Sequence, residues 1–173
     1  MYKDEIIKNM KDYFEEDKKR IDHAIQVTDH AEELISLYIK TSNSHNINRE
    51  IIIYSAILHD IGIKKSEIKY NSSAPRYQEI EGPPIARKIM ESLDIDKFII
   101  NEVCEIIGNH HSPSNLDTDN FKILYDADWL VNLPEAFNLE KKTPQEKINI
   151  INKLYLTEIG KTRARELFVN ALN

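Results

Sequence analysis

Two imidazoles and two carboxylates stand out in this chain: His23 in RIDHAIQV, His59 and Asp60 in AILHDIGI, and Asp128 in YDADWLVN. Imidazole combined with carboxylate suits a first-row divalent metal or iron. Four such donors on an octahedral ion leave two positions open, one for water and one for a substrate oxygen. That is the requirement of metal-assisted hydrolysis. The apolar run IIIYSAIL leads straight into His59 and Asp60. An ionised carboxylate in such surroundings is costly unless it is paired or holds a metal. The His59-Asp60 pair alone reads equally well as a neutral core histidine beside a surface aspartate at a helix end.

Further groups fall near these four. His110 and His111, in CEIIGNHHSP, sit at the end of an apolar helix. A histidine pair at a helix end favours the helix dipole. Asn132 lies one helical turn beyond Asp128, on the same face, where it contacts substrate or caps the surface. His30, two turns after His23, reads as a hydrogen-bonded interior histidine. His45, in the polar stretch TSNSHN, reads as solvated. Cys104 shares the apolar helix that ends at the histidine pair, and a core thiol is the expected role.

These groups must be positioned by helices, because runs with helical spacing dominate and period-2 alternation is rare. The pattern predicts eight helices, over about 3–18, 21–41, 48–62, 84–93, 96–109, 120–133, 144–157 and 161–172. Asn48 is a good N-cap and Gly62 a good stop for the third. Its Ile51-Ile52-Ile53 triplet resembles a strand, but length favours a buried helix. Thr143, Pro144 and Glu146 spell a capping box. Pro134 is expected to end the helix that carries Asp128. KKSEIKYNSSAPRYQEIEGPP, with three prolines, reads as a long loop over the site mouth with at most a short turn of helix. The fold class is therefore all-α, a single helical bundle of about seven or eight helices spanning 1–173.

Bulk properties bound the function. The chain has 173 residues, 41% hydrophobic and 30% charged, with a net charge of -6. That fits one domain with a sizeable core. It argues against a nucleic-acid polymer or an anionic membrane as partner. Cys104 is the only cysteine, which excludes an intrachain disulfide and a thiolate zinc cluster. The N-terminal segment lacks an apolar leader and no stretch is long enough to span a bilayer, so a cytoplasmic location is expected. The first helix can pack its stripe of Ile6, Ile7, Met10, Tyr13 and Phe14 on its own domain or on a second copy, as in a homodimer.

The order His, His-Asp, Asp, in RIDHAIQV, AILHDIGI and YDADWLVN, resembles the HD superfamily of metal-dependent phosphohydrolases over roughly residues 20 to 165. The ADWL segment is similar to the family's final motif and selects Asp128 over Asp126. Asp126 is then a surface carboxylate or one that braces a ligand from behind. The resemblance implies an all-α HD domain and one divalent metal (Mn, Ni, Co, Fe, Zn or Mg) held by His23, His59, Asp60 and Asp128. It also implies hydrolysis of a phosphate ester of a nucleotide or other small phosphorylated metabolite. Asp60 would help orient or deprotonate the attacking water, with His110 and His111 as further catalytic groups. Lys65, Arg76 and Asn132 would contact the phosphorylated substrate.

Two departures from the family pattern matter. Many relatives read HDIGK, whereas here Ile63 intervenes before Lys64 and Lys65. Relatives with two metals carry a further histidine before a helix that resembles GPPIARKIM; here the segment is YQEIE, with Gln78, Glu79 and Glu81. A second metal is therefore not favoured. A di-iron oxygenase, which needs that second set of ligands, and a non-catalytic ligand sensor are the alternatives.

Overall fold

The computed structural model describes residues 1–41 and 46–170. Among them are nine α-helices and no strand. They are α1 (Lys3–Phe14), α2 (Lys18–Thr41), α3 (Arg49–Leu58), α4 (Ile63–Tyr70), α5 (Pro75–Glu91), α6 (Lys97–Ile107), α7 (Asp119–Ala136), α8 (Pro144–Leu154) and α9 (Glu158–Phe168). The expected solvated His45 lies outside the described residues. No described helix is long and apolar enough to cross a membrane.

α3 is the axis of the fold. Asn48 caps it, its side chain accepting from the backbone N–H groups of Glu50 and Ile51. All residues from Ile51 to Leu58 are buried, because α1, α2, α6 and α7 pack around it. Burying an isoleucine or leucine stabilises the fold by about 1.5–3 kcal/mol each, so this helix anchors the core. Every face is apolar, which is why its periodicity alone did not separate helix from strand. The stripe of α1 is spent within the chain: Ile6, Met10 and Phe14 are at most 3% exposed. One hydrophobic cluster runs from Ile6 to Ala164.

The long loop expected between Lys64 and Pro84 is instead two helices, α4 and most of α5. Pro75 occupies the first turn of α5, where its missing N–H costs nothing. Gln78, Gly82, Ala86 and Met90 then line up every fourth residue as the buried face, and this spacing carries the helix through Pro83 and Pro84. Gly62 does not stop α3; it stands at the start of α4 in an ordinary right-handed conformation. A Cβ there would lie 2.5 Å from the Gln78 carbonyl oxygen and 2.7 Å from the Gly82 nitrogen. Glycine is needed for the close crossing of α4 and α5, not for a turn. Pro134 sits inside the last turn of α7, which ends two residues later. The Thr143 capping box forms as expected.

Candidate metal centre

The four predicted donors meet where α2, the α3–α4 junction and α7 come together. His23 Nε2 lies 3.2 Å from His59 Nε2 and 3.1 Å from Asp128 Oδ1. It is 3.6 Å from Asp60 Oδ2. His59 Nε2 lies 3.5 Å from Asp60 Oδ2 and 3.6 Å from Asp128 Oδ1. Neighbouring donors at ~2.1 Å from an octahedral ion stand about 3.0 Å apart. Five donor separations of 3.1–3.6 Å, from three segments far apart in sequence, therefore fit one metal ion.

The helix ends aim two of the imidazoles. His59 Nδ1 donates to the Ala56 carbonyl at 2.8 Å, and His110 Nδ1 donates to the Ile107 carbonyl at 2.7 Å. Each carbonyl belongs to the last turn of its helix, where intrahelical partners run out. Satisfying it fixes the imidazole tautomer and leaves Nε2 as the atom that faces the cluster. His110 Nε2 is buried without a hydrogen-bond partner and lies 3.5 Å from Asp60 Oδ1. Asp60 thus turns one oxygen to His23 and His59 and the other to His110. Among the described residues two donor groups emerge: His23, His59 and Asp128, and Asp60, His110 and His111.

The electrostatics favour a cation. Burial works against charge on His59, yet Asp60 and Asp128 beside it raise its pKa to about 9. Burial would likewise raise Asp60, but His59 and His110 hold it down, at about 2. Asp128 is held well below the usual carboxylate range by His23 and His59, despite burial. A pair of ionised carboxylates in a nearly closed site needs positive charge. Without a metal, protons on imidazole supply it. His111 differs: partial burial of its ring and the neighbouring His110 lower its pKa to about 4.

Around the donors, α2 and α7 present matching faces. Lys19, Asp22, His23 and Gln26 on α2, and Asp128, Val131, Asn132 and Glu135 on α7, line a cavity of about 660 Å³. Both sets follow the i, i+3, i+4, i+7 spacing of one helix face. That spacing, counted from His23 and Asp128, was the unused signal for Lys19, Gln26 and Glu135. Asn132 is in place: its Nδ2 donates to Asp128 Oδ1 at 2.7 Å, so it steadies a donor as well as lining the cavity.

The two cations expected to meet substrate do not line this cavity. Lys65 pairs with Glu81 at 2.9 Å. Glu81 also accepts from Lys69 at 2.7 Å and from the Tyr70 hydroxyl at 2.8 Å. These partners pull its pKa down to about 2. Arg76 donates to the Tyr77 hydroxyl and lies over that ring. The buried Glu81 claims Lys65, which no local pattern foretold. Of the cations that do line the cavity, Arg20 is engaged by Asp17 and Glu67, whereas Lys19 has no ion pair among the described residues.

Two further expectations, for Asp126 and His30, are corrected. Asp126 is neither exposed nor behind a donor. It is fully buried and accepts from the N–H groups of Leu156 and Thr157 and from the Thr157 hydroxyl. It braces the start of α9. His30 is half-buried, 3.6 Å from Glu33, not interior. Where the two-metal relatives have a histidine, Gln78 Oε1 lies 3.2 Å from His111 Nε2. Glu79 accepts from the His111 backbone N–H and the Ser112 hydroxyl. Cys104 is buried, its thiol donating to the Pro83 carbonyl.

In comparison with known families, the model of the HD domain matches residues 20–133, well over half of the chain. No curated protein and no solved structure matches significantly.

Proposed function

The chain belongs to the HD domain family, and from that premise we propose that it is a metal-dependent phosphohydrolase acting on a small phosphate ester. The observation that carries this reading is the set of five donor separations of 3.1–3.6 Å among His23, His59, Asp60 and Asp128. One divalent ion held there would polarise a phosphoryl oxygen and acidify a bound water. The protein's own groups do the rest. Asp60, held ionised, keeps Oδ2 among the donors and accepts the proton of the attacking water on Oδ1, which lies 3.5 Å from His110 Nε2 and can hand the proton on to it. Asn132 keeps Asp128 oriented. His110, its Nδ1–H fixed on Ile107, offers Nε2 as the atom that passes a proton to the leaving oxygen. Lys19 supplies positive charge from the cavity wall to the phosphate. Lys65 and Arg76 are not part of this reading.

A second reading has a specific observation behind it. Asp60, His110 and His111 form a donor group of their own, with Asp60 shared between the two groups. Two ions, including the di-iron oxygenase alternative, would use that pair of groups.

The test is metal content per chain, on protein purified without chelator or metal-affinity resin, beside His59→Ala and a phosphate-release screen. About one equivalent of divalent metal, lost in the variant, with phosphate release, is the expected result. Two equivalents of iron with oxygen uptake would move the assignment to the oxygenase. No metal in either protein, and none taken up from added Mn²⁺, Co²⁺ or Ni²⁺, would remove its basis.

A further inference from the structure

A second cavity, of about 390 Å³, opens beside the first and shares His111, Asp128, Asn132 and Glu135 with it. Its other walls are His110, Tyr125, Trp129 and Ala136. Its character differs from that of the first. Tyr125 and Trp129 stand one helical turn apart on α7, their ring centroids 6.3 Å from each other. The His110 and His111 rings, 3.9 Å apart at their centroids, form another wall. A cavity walled by rings takes a flat, polarisable occupant, because stacking rewards planar surfaces.

The polar groups at its border narrow the choice. Asn132 spends one amide N–H on Asp128 and keeps its oxygen as an acceptor. Glu135, a carboxylate and so acceptor-only when ionised, has no side-chain hydrogen bond or ion pair among the described residues. An occupant that meets Glu135 must therefore bring donors. A heterocycle edge with two adjacent N–H groups matches a carboxylate in the two-pronged way that makes such contacts strong. Guanine has that edge. Adenine and cytosine set a ring-nitrogen acceptor beside their amino group, which a carboxylate repels.

We infer that the cavity at Tyr125 and Trp129 is a subsite for a planar heterocycle bearing adjacent N–H donors, with Glu135 as the residue that selects it. This deepens the phosphohydrolase reading and rests on it for one point: the heterocycle is the part of the ester that leaves with its alcohol. The distance from the metal donors to the rings is short, since Asp128 belongs to both cavities. Phosphate and heterocycle can thus be held at once.

Trp129 is the only tryptophan, so the protein has a single indole N–H resonance, and that resonance reports this cavity. The experiment titrates the full chain with guanosine, adenosine and ribose phosphate, follows the indole signal, and repeats the series with Glu135→Gln. The expected result is a shift with guanosine, a weaker one with adenosine, and none with ribose phosphate. Glu135→Gln should weaken guanosine about 10-fold or more and tighten adenosine, whose acceptor-and-donor edge an amide matches. An indole signal that guanosine does not move, or a preference that Glu135→Gln does not alter, overturns the subsite. Guanosine carries no phosphate and needs no metal, so the two readings fail separately. Guanosine binding with no phosphate release from any ester in the screen would sink the hydrolase and keep the subsite. Equal kcat/KM for guanosine monophosphate, adenosine monophosphate and ribose phosphate would keep the hydrolase and overturn the subsite.

Discussion

Asp126 and Asp128 lie two residues apart on one helix and live in opposite worlds. Asp128 looks into the donor cluster, where His23 and His59 hold it ionised far below the usual range. Asp126 looks the other way, toward the start of α9. There, burial outweighs three hydrogen bonds and pushes its pKa up to about 6. The backbone explains the split, since residues two apart on a helix point about 200° away from each other. α7 thus carries chemistry on one side and stability on the other. The lesson is that a carboxylate's environment, not its neighbourhood in sequence, decides its role.

That division can be broken from the chemical side first. Asp128→Ala should lose the bound metal and cost phosphate release about 10³-fold or more, since the ion's contribution is several kcal/mol. Thermal unfolding, compared in chelator so that neither protein holds the ion, should fall less than for Asp126→Ala. A variant that keeps its metal and turnover would erase the distinction. From the other side, Asp126→Ala strands the Leu156 and Thr157 donors. It should cost about 3 kcal/mol in denaturant unfolding, while the metal content of the folded fraction stays unchanged.

A gentler probe uses pH, in chelator, so that only protons act. The folded pKa of Asp126, about 6, lies above its ordinary value of 3.8. Its contribution to stability is thus fully present below the ordinary value and is lost as pH rises through about 6. Compared with Asp126→Asn, the parent should lose roughly 2–3 kcal/mol between pH ~4 and ~7. Parallel pH profiles for the two proteins would place Asp126 in an unperturbed setting. The smallest effect belongs to Asn132→Ala. Removing a group that only orients a donor should weaken metal affinity about 10-fold, measured by competition with a chelator.

The same contrast marks what the sequence could tell. The type and order of His23, His59-Asp60 and Asp128 pointed to donors that the structure does bring together, because a buried carboxylate among apolar residues demands a partner. The all-α class followed from the long apolar spacings of α2, α3, α6 and α7. The segment from Lys64 to Pro84 misled, since three prolines and NSS outweigh a four-residue buried spacing until the neighbouring helix is known to cover it. Lys65 misled for a different reason. Its partner, Glu81, lies sixteen positions away and meets it only once α4 folds back on α5. The ADWL segment separated Asp128 from Asp126, but the role of Asp126 was hidden, because α9, whose start it braces, is far along the chain.

His59 and His110 are both placed by counting three residues from a carbonyl at a helix end. This makes the site intolerant of changes in chain length at two points. One residue inserted between Ala56 and His59, or between Ile107 and His110, would turn the ring by about 100° and strip the carbonyl of its donor. The connections at 71–74 and 112–117 set no such count. Length variation should therefore be accepted in those two connections and refused in the two short helix ends, whatever residues are inserted.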